Sequence, residues 1–298
     1  MRYLTDADVA LLEQKANEIR ISIIEMLVKA GSGHTAGPLG MADVFALLYF
    51  HVLKHDPKNP QWAERDRFIL SNGHICPVLY ATMAHSGYFP VEELMTLRKF
   101  GSRLQGHPHR EFLPGIETSS GPLGSGLSQA VGMALAERID NPYSEKQFYC
   151  FVGDGELDCG QIWEAAMLAG KEKIHNLTVV VDRNGIQIDG FTKDVMPLEP
   201  LFEKFSAFNF DVQEVDGHNM RAMNDAFEKA RSLYSQPSMI IAHTIPSKGV
   251  GMFERDFRWH GNPPGKGPED RVPKDKQSEV ALRALRTLQG HVVPTDFS

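Results

Sequence analysis

Only three cysteines occur among the 298 residues, Cys76, Cys150 and Cys159, and none stands in a CxxC pair. That excludes a disulfide framework or a cysteine zinc site and suits a reducing compartment. There is no dense run of lysine or arginine and the formal net charge is −7, which disfavours a nucleic-acid partner. Long apolar runs are missing too: stretches such as LTVVV at 177–181 are far too short to span a bilayer. The opening MRYLTDADVALLEQ has no basic segment leading into an apolar one, so no secretory signal is read there. Internal repeats and low-complexity tracts are also lacking. The expectation is a cytoplasmic protein with neither a membrane nor a nucleic-acid partner.

What is present is an ordinary globular mixture, 42% hydrophobic and 23% charged. The chain is long enough for one large α/β domain or two small ones with a sizeable core. Val9, Leu12, Ala16, Ile19, Ile23, Leu27 and Ala30 recur every three or four positions, which predicts a helix over 6–30, started by Thr5 or Asp6 and ended by Gly31. Residues 41–53 read as a second, more buried helix, followed by a polar, proline-punctuated link. Short apolar runs at 68–70, 148–152, 177–181, 211–215 and 239–243 read as strands. Helical stretches near 125–139, 160–173, 198–207 and 219–234 alternate with the last four. The fold class expected is α/β, a parallel sheet with helices on both faces, with ligands beyond the carboxyl ends of the strands. From 246 onward the chain is rich in glycine, proline and charge and reads as a long functional loop or connector, closed by a polar helix over roughly 275–289.

Two polar clusters sit at predicted strand ends. Gly153-Asp154-Gly155-Glu156 follows FYCFV, and Asp182-Arg183-Asn184-Gly185-Ile186 follows LTVVV. Each alone is a common turn sequence. Together they place an aspartate and an asparagine at neighbouring strand ends. Magnesium takes six hard oxygen ligands; a carboxylate, an amide oxygen and a backbone carbonyl leave room for phosphate oxygens and water. A further cluster, Gly121-Pro122-Leu123-Gly124-Ser125-Gly126, opens a helix, where free N–H groups favour an anion. Of the twelve histidines, four stand in glycine- or proline-containing loops: His34, His74, His107 and His260. Such residues can donate to oxyanions and sugar hydroxyls and move protons near neutral pH. His51, His55, His85 and His291 read as surface or filler residues.

In order along the chain, GSGHTAGPLGMADV, RDRFILSNGH, GHPH, GIETSSGPLGSGLSQAVGMALAE, VGDGELDCGQIWEAAMLAG, VVDRNGIQIDG and VDGHN resemble the transketolase family. GDG, 28 intervening residues and NG match the thiamine diphosphate (ThDP) signature. The resemblance implies the ThDP diphosphate-binding (PP) domain fold over 1–265, with 266–298 a tail carrying a short helix. It implies Asp154, Asn184 and the Ile186 carbonyl as Mg²⁺ ligands. His74, Gly121, Pro122, Leu123, Gly155, Asn184 and His260 would contact ThDP, and His34, His107 and His260 the substrate. Lys248 and Asp189 lie close to these segments.

The reaction implied is transfer of a two-carbon ketol unit from a ketose phosphate to an aldose phosphate, as in the pentose phosphate pathway. In the family, a glutamate that activates the cofactor comes from a second, pyrimidine-binding domain, which the chain up to Ser298 does not supply. The expectation is therefore a split enzyme of α₂β₂ form, in which an N-terminal subunit works with a separate C-terminal, pyrimidine-domain subunit. Two departures stand out. GHTAG replaces the usual GHPG, and Cys159 stands where the family commonly has a glutamate; Glu156, Asp158 or Glu164 are candidates to compensate. Alternatives are a split ketol-transferase for apulose phosphate or a sulfonated ketose, a 1-deoxyxylulose-5-phosphate synthase, the α chain of a 2-oxo-acid dehydrogenase, and a non-catalytic phosphate-binding module.

Overall fold

The computed structural model describes residues 3–289, so the expectation for His291 lies outside the described residues. The first helix, α1 (Asp6–Ala30), forms as the apolar spacing predicts. Thr5 closes a capping box with Asp8, and Gly31 ends the helix in the left-handed conformation, its N–H donating to the Leu27 carbonyl. The second expected helix begins earlier and is broken into α2 (Ala36–Gly40), α3 (Ala42–Leu47) and a π-helical turn over Leu48–Val52. Strand β1 (Arg67–Leu70) is followed by α4 (Cys76–His85), a helix that the sequence pattern does not predict. Every residue from Cys76 to Ala84 is buried, so no polar face gives the helix a readable period.

Then come α5 (Ser125–Asp140), β2 (Phe148–Gly153), α6 (Gly160–Lys171) and β3 (Leu177–Arg183). A small antiparallel hairpin, β4 (Ile186–Gln187) and β5 (Gly190–Phe191), leads into the single turn α7 (Thr192–Val195). The chain continues through α8 (Leu201–Ala207), β6 (Asp211–Asp216), α9 (Met220–Ser232), β7 (Ser238–His243) and α10 (Gln277–Gln289).

The central sheet has the order β1-β2-β3-β7-β6, with every pairing parallel. Successive residues of its middle strands point to opposite faces. Tyr149, Phe151, Val180, Ile240 and Ala242 join one core, which also takes up α1, α3, α4, α9 and α10. Cys150, Val152, Val179, Val181, Met239 and Ile241 join the other, with α5, α6 and α8. The parallel α/β sheet covered on both faces is thus as expected.

The segment after 246 is packed, not loose. Trp259 is buried and stacks on Phe253 at 3.6 Å between centroids. Residues 266–289 return to the body: Leu285 lies in the core, and its carbonyl accepts from Asn17 of α1 at 2.8 Å. No helix among the described residues is long and apolar enough to cross a membrane.

Two histidines expected to be surface or filler residues are internal ties instead. His55 bonds the Tyr88 hydroxyl at 2.9 Å and the Tyr49 carbonyl at 2.7 Å, and His85 bonds Ser22 at 2.9 Å. His55 ties the segment before β1 to Tyr49 and Tyr88, and His85 ties the end of α4 to α1, so partners within the fold override the polar appearance of their sequence context.

Candidate functional site: a cleft at the strand carboxyl ends

β1, β2 and β3 run parallel and in register, with Gly153 opposite Asp182. Their carboxyl ends therefore open on one cleft of about 380 Å³. His34, His74, His107, Gly121, Leu123, Asp154, Gly155, Asn184, Ile186, Asp189 and His260 all line it. The structure brings together nearly every residue singled out from sequence. Pro122 is exposed and is not among the lining residues, and Lys248 faces an adjoining cavity of about 500 Å³ beside Arg183 and His218.

At one end, Asp154 is 1% exposed. Its Oδ1 accepts from the Gly155 N–H at 2.8 Å; its Oδ2 accepts from the Gly185 N–H at 2.6 Å and from Arg183 at 3.0 Å. Burial pushes its carboxyl up to about 6, against the pull of these donors. Arg183 is itself held by Thr192 at 3.1 Å and by Glu199 at 2.9 Å through Nε. Asn184 is oriented at both ends: its Nδ2 donates to Asp182 at 2.8 Å and its Oδ1 accepts from the Ile186 N–H at 3.0 Å. Asp182, fully buried and accepting from Thr244 at 2.5 Å, is raised to about 7 by burial, with Asp154 adding to the rise.

At the other end three imidazoles pack together. Ring centroids of His34 and His74 are 4.7 Å apart, His34 and His260 5.5 Å, and His74 and His260 5.4 Å. Burial depresses all three: His34 to about 3, His260 to about 4, and His74 well below the usual range. They are neutral at pH 7, each with one donor and one acceptor nitrogen. The Nδ1 atoms of His34 and His260 are buried without a protein partner. His107 approaches because Gly73 has no side chain; a Cβ there would collide with Ser120 and lie 3.2 Å from the His107 ring.

Two contributions are not visible in the sequence. Asn72, buried two residues past the end of β1, lines the cleft with both amide atoms unpartnered; the signal that could have found it is an asparagine just beyond a strand end. Glu156, from sequence a candidate to stand in for the glutamate replaced by Cys159, has its carboxylate consumed inside the protein. Oε1 accepts from Ser71 at 2.5 Å and from the Gly124 N–H at 2.6 Å, and Oε2 from the Gly153 N–H at 3.0 Å. Asp158, exposed, accepts from Gln187 at 3.1 Å, and Glu164 is exposed on α6.

Residues 12–278 match the family model described as transketolase, thiamine diphosphate binding domain. The chain belongs to the transketolase family. It is 45% identical to SqwG, a component of the 6-deoxy-6-sulfo-D-fructose transketolase of Clostridium sp. (strain MSTE9), over 84% of this chain and 90% of that relative. It is 39% identical to one of the subunits of the apulose-4-phosphate transketolase of Phocaeicola vulgatus, over 93% of this chain and 94% of that relative. Among solved structures, the transketolase from Leishmania mexicana superposes with a TM-score of 0.81 at 31% identity, covering 97% of this chain and 45% of that one. The chain thus spans just under half the length of the solved transketolase. The cleft suits the ThDP that this family domain binds: it holds a buried carboxylate and an oriented amide together with unpartnered Asn72 and imidazole nitrogens.

Proposed function

We propose that this chain is the N-terminal, diphosphate-binding subunit of a split, Mg²⁺-dependent transketolase. It would act in the cytoplasm, in an α₂β₂ assembly with a separate pyrimidine-domain subunit. The observation that carries the reading is the cleft itself, with Asp154 and Asn184 at one end and three neutral histidines at the other. It is supported by relatives that match over at least nine-tenths of their length and are named as transketolase subunits. Those names concern a sulfonated ketose and a ketose phosphate, so the substrate class proposed is a ketose with an anionic terminus, with an aldose phosphate as acceptor.

Asp154, Asn184 and the Ile186 carbonyl are the proposed Mg²⁺ ligands. Gly121, Pro122, Leu123 and Gly155, with His74, are assigned to ThDP. When bound, ThDP supplies the carbon nucleophile that carries the two-carbon unit between sugars. His34, His107 and His260 are assigned to the substrate. As neutral imidazoles, His34 and His260 donate one N–H to a developing oxyanion and accept a sugar hydroxyl at the other nitrogen.

The test is reconstitution. Turnover of a ketose and aldose pair with ThDP and Mg²⁺ is expected from this chain mixed with its pyrimidine-domain partner and not from this chain alone. Robust turnover without the partner would refute the split assignment.

A pH dependence follows from Asp154. Metal binding needs its ionised form, and protons compete below about 6. Apparent Mg²⁺ affinity is expected to be level above pH 7 and to weaken about tenfold per unit below pH 6. Calorimetry at pH 5 and 7.5, corrected for protonation of the diphosphate, reads it. An unchanged affinity would remove Asp154 from the metal site.

A further inference from the structure

Of the stretches that carry the family resemblance, VDGHN at 215–219 lends no residue to the cofactor cleft. It makes the turn from β6 into α9. Asp216 accepts from the His218 N–H at 2.9 Å, and Asn219 caps α9 by accepting from the N–H groups of Arg221 and Ala222, each at 3.1 Å. The turn lies against the segment that leaves β7. The Gly217 N–H donates to the His243 carbonyl at 2.9 Å, and a Cβ on Gly217 would lie 2.8 Å from Thr244 Cγ2.

His218 is held at both ring nitrogens. Its Nε2 accepts from the Ile245 N–H at 2.8 Å, so the proton sits on Nδ1, which donates to Asp43 at 2.6 Å. Arg20 grips the same carboxylate at 3.1 and 2.6 Å, while its Nε donates to the Leu39 carbonyl at 3.0 Å. Burial would raise the Asp43 carboxyl, but the Arg20 guanidinium and the His218 donor hold it down at about 2. An aspartate behind a histidine can serve acid–base chemistry. Here the far nitrogen is taken by a backbone amide and is not free to move a proton. What the pair does is fix the backbone at Ile245.

The residue before Ile245 faces the metal end of the cleft. Thr244 Oγ1 donates to Asp182 Oδ1 at 2.5 Å, and Asp182 Oδ2 accepts from Asn184 Nδ2 at 2.8 Å. That second bond decides which arm of the Asn184 amide is the nitrogen, and so where its oxygen lies.

We propose that His218 is a positioning residue for the metal end: backed by Asp43, it fixes Ile245 and, through Thr244 and Asp182, sets the Asn184 amide for the cation. The inference rests on the transketolase reading, in which Asn184 is a Mg²⁺ ligand, and deepens it. A continuous line of bonds then runs from Arg20 on α1 to the cleft.

The experiment uses the complex reconstituted with the pyrimidine-domain subunit. Calorimetry reads Mg²⁺ affinity at saturating ThDP for the native chain, His218→Asn, His218→Gln, Thr244→Val and the double variant of His218→Asn with Thr244→Val. Asparagine can still donate to Asp43 but is too short to accept from Ile245. Affinity is expected to fall about tenfold in His218→Asn and in Thr244→Val, the lower end of losses for groups that orient a metal ligand. His218→Gln, whose amide oxygen reaches Ile245, should recover to within about threefold of native. The double variant should also lose about tenfold, because both changes cut one line; independent effects would multiply to about a hundredfold. Turnover should keep kcat within about twofold of native at saturating Mg²⁺, the loss appearing in the KM for the metal. Native affinity in either single variant, no recovery in His218→Gln, or a multiplied loss in the double variant would overturn the positioning role. If His218→Asn does not assemble, His218→Gln and Thr244→Val decide it by the same outcomes. Absence of Mg²⁺-dependent ThDP binding in the native complex would instead overturn the functional reading beneath it.

Discussion

Replacing Asp154 by asparagine is expected to weaken Mg²⁺-dependent ThDP binding by about 100-fold or more, beyond the usual loss for groups that merely orient a ligand. Asp154 is the sole carboxylate in the proposed donor set, and magnesium prefers charged oxygen. The variant separates a metal role from a structural one through the apo protein. Asp154 has a carboxyl raised by burial from 3.8 to about 6. A raised folded pKa means that its contribution to stability is fully present below 3.8 and is lost as pH rises through 6. At pH 8 the folded chain therefore carries a penalty of about 3 kcal/mol from this ionised group. Asparagine removes the charge and that penalty, at a cost of about 1 kcal/mol where its NH₂ meets a backbone donor that the carboxylate accepted.

The apo variant should accordingly melt no lower than the native chain at pH 8, while the rise in Tm on adding ThDP and Mg²⁺ disappears. Thermal melts with and without ligands, together with calorimetry, give both readouts. Undiminished Mg²⁺ dependence would refute the assignment. A large fall in apo stability would show that the residue serves the fold.

Much of this architecture was legible because local and global signals agree. Thr5, the apolar stripe and Gly31 specify α1 without help from the rest of the chain. The strand ends were readable because glycine and aspartate follow β2 and asparagine follows β3, and parallel register then sets Asp154 beside Asp182 and Asn184. α4 was not legible, since burial on all sides erases the period that marks a helix. The hairpin of β4 and β5 was missed because two-residue strands carry no alternation. Among the histidines, loop context pointed to His34, His74 and His260, yet their mutual packing depends on segments up to 226 residues apart, His34 to His260. The same limit hid Glu156. In sequence it is an acid beside a metal motif; only the fold reveals that Ser71 and Gly124 come to meet it.

Glu156 therefore yields the second large expectation. It ties the end of β1, the glycine loop before α5 and the end of β2 through one buried carboxylate, 2% exposed. Ser71 extends the tie by accepting from the Gly126 N–H at 3.1 Å. Two backbone N–H groups point at the carboxylate, and both need acceptors. In Glu156→Gln, if the amide oxygen serves Ser71 and Gly124, the NH₂ group faces the Gly153 N–H, and one buried donor is left unmade. The unmade donor costs about 1–3 kcal/mol, and loss of a charge that burial disfavours offsets part of that cost at neutral pH. In Glu156→Ala both backbone donors lose their acceptor and a cavity opens, so a loss of about 2–5 kcal/mol is expected.

Denaturant unfolding should show this order, alanine worse than glutamine, with little change in m. Because Gly121 and Leu123 line the cleft through the loop that Gly124 anchors, ThDP affinity should fall in both variants even where the fold survives. The Mg²⁺ dependence that remains should keep its native pH midpoint, since Asp154 is untouched. Native stability in Glu156→Ala would show that the three segments are held by packing alone. A residue that the sequence offers for proton traffic would then have neither that role nor a structural one.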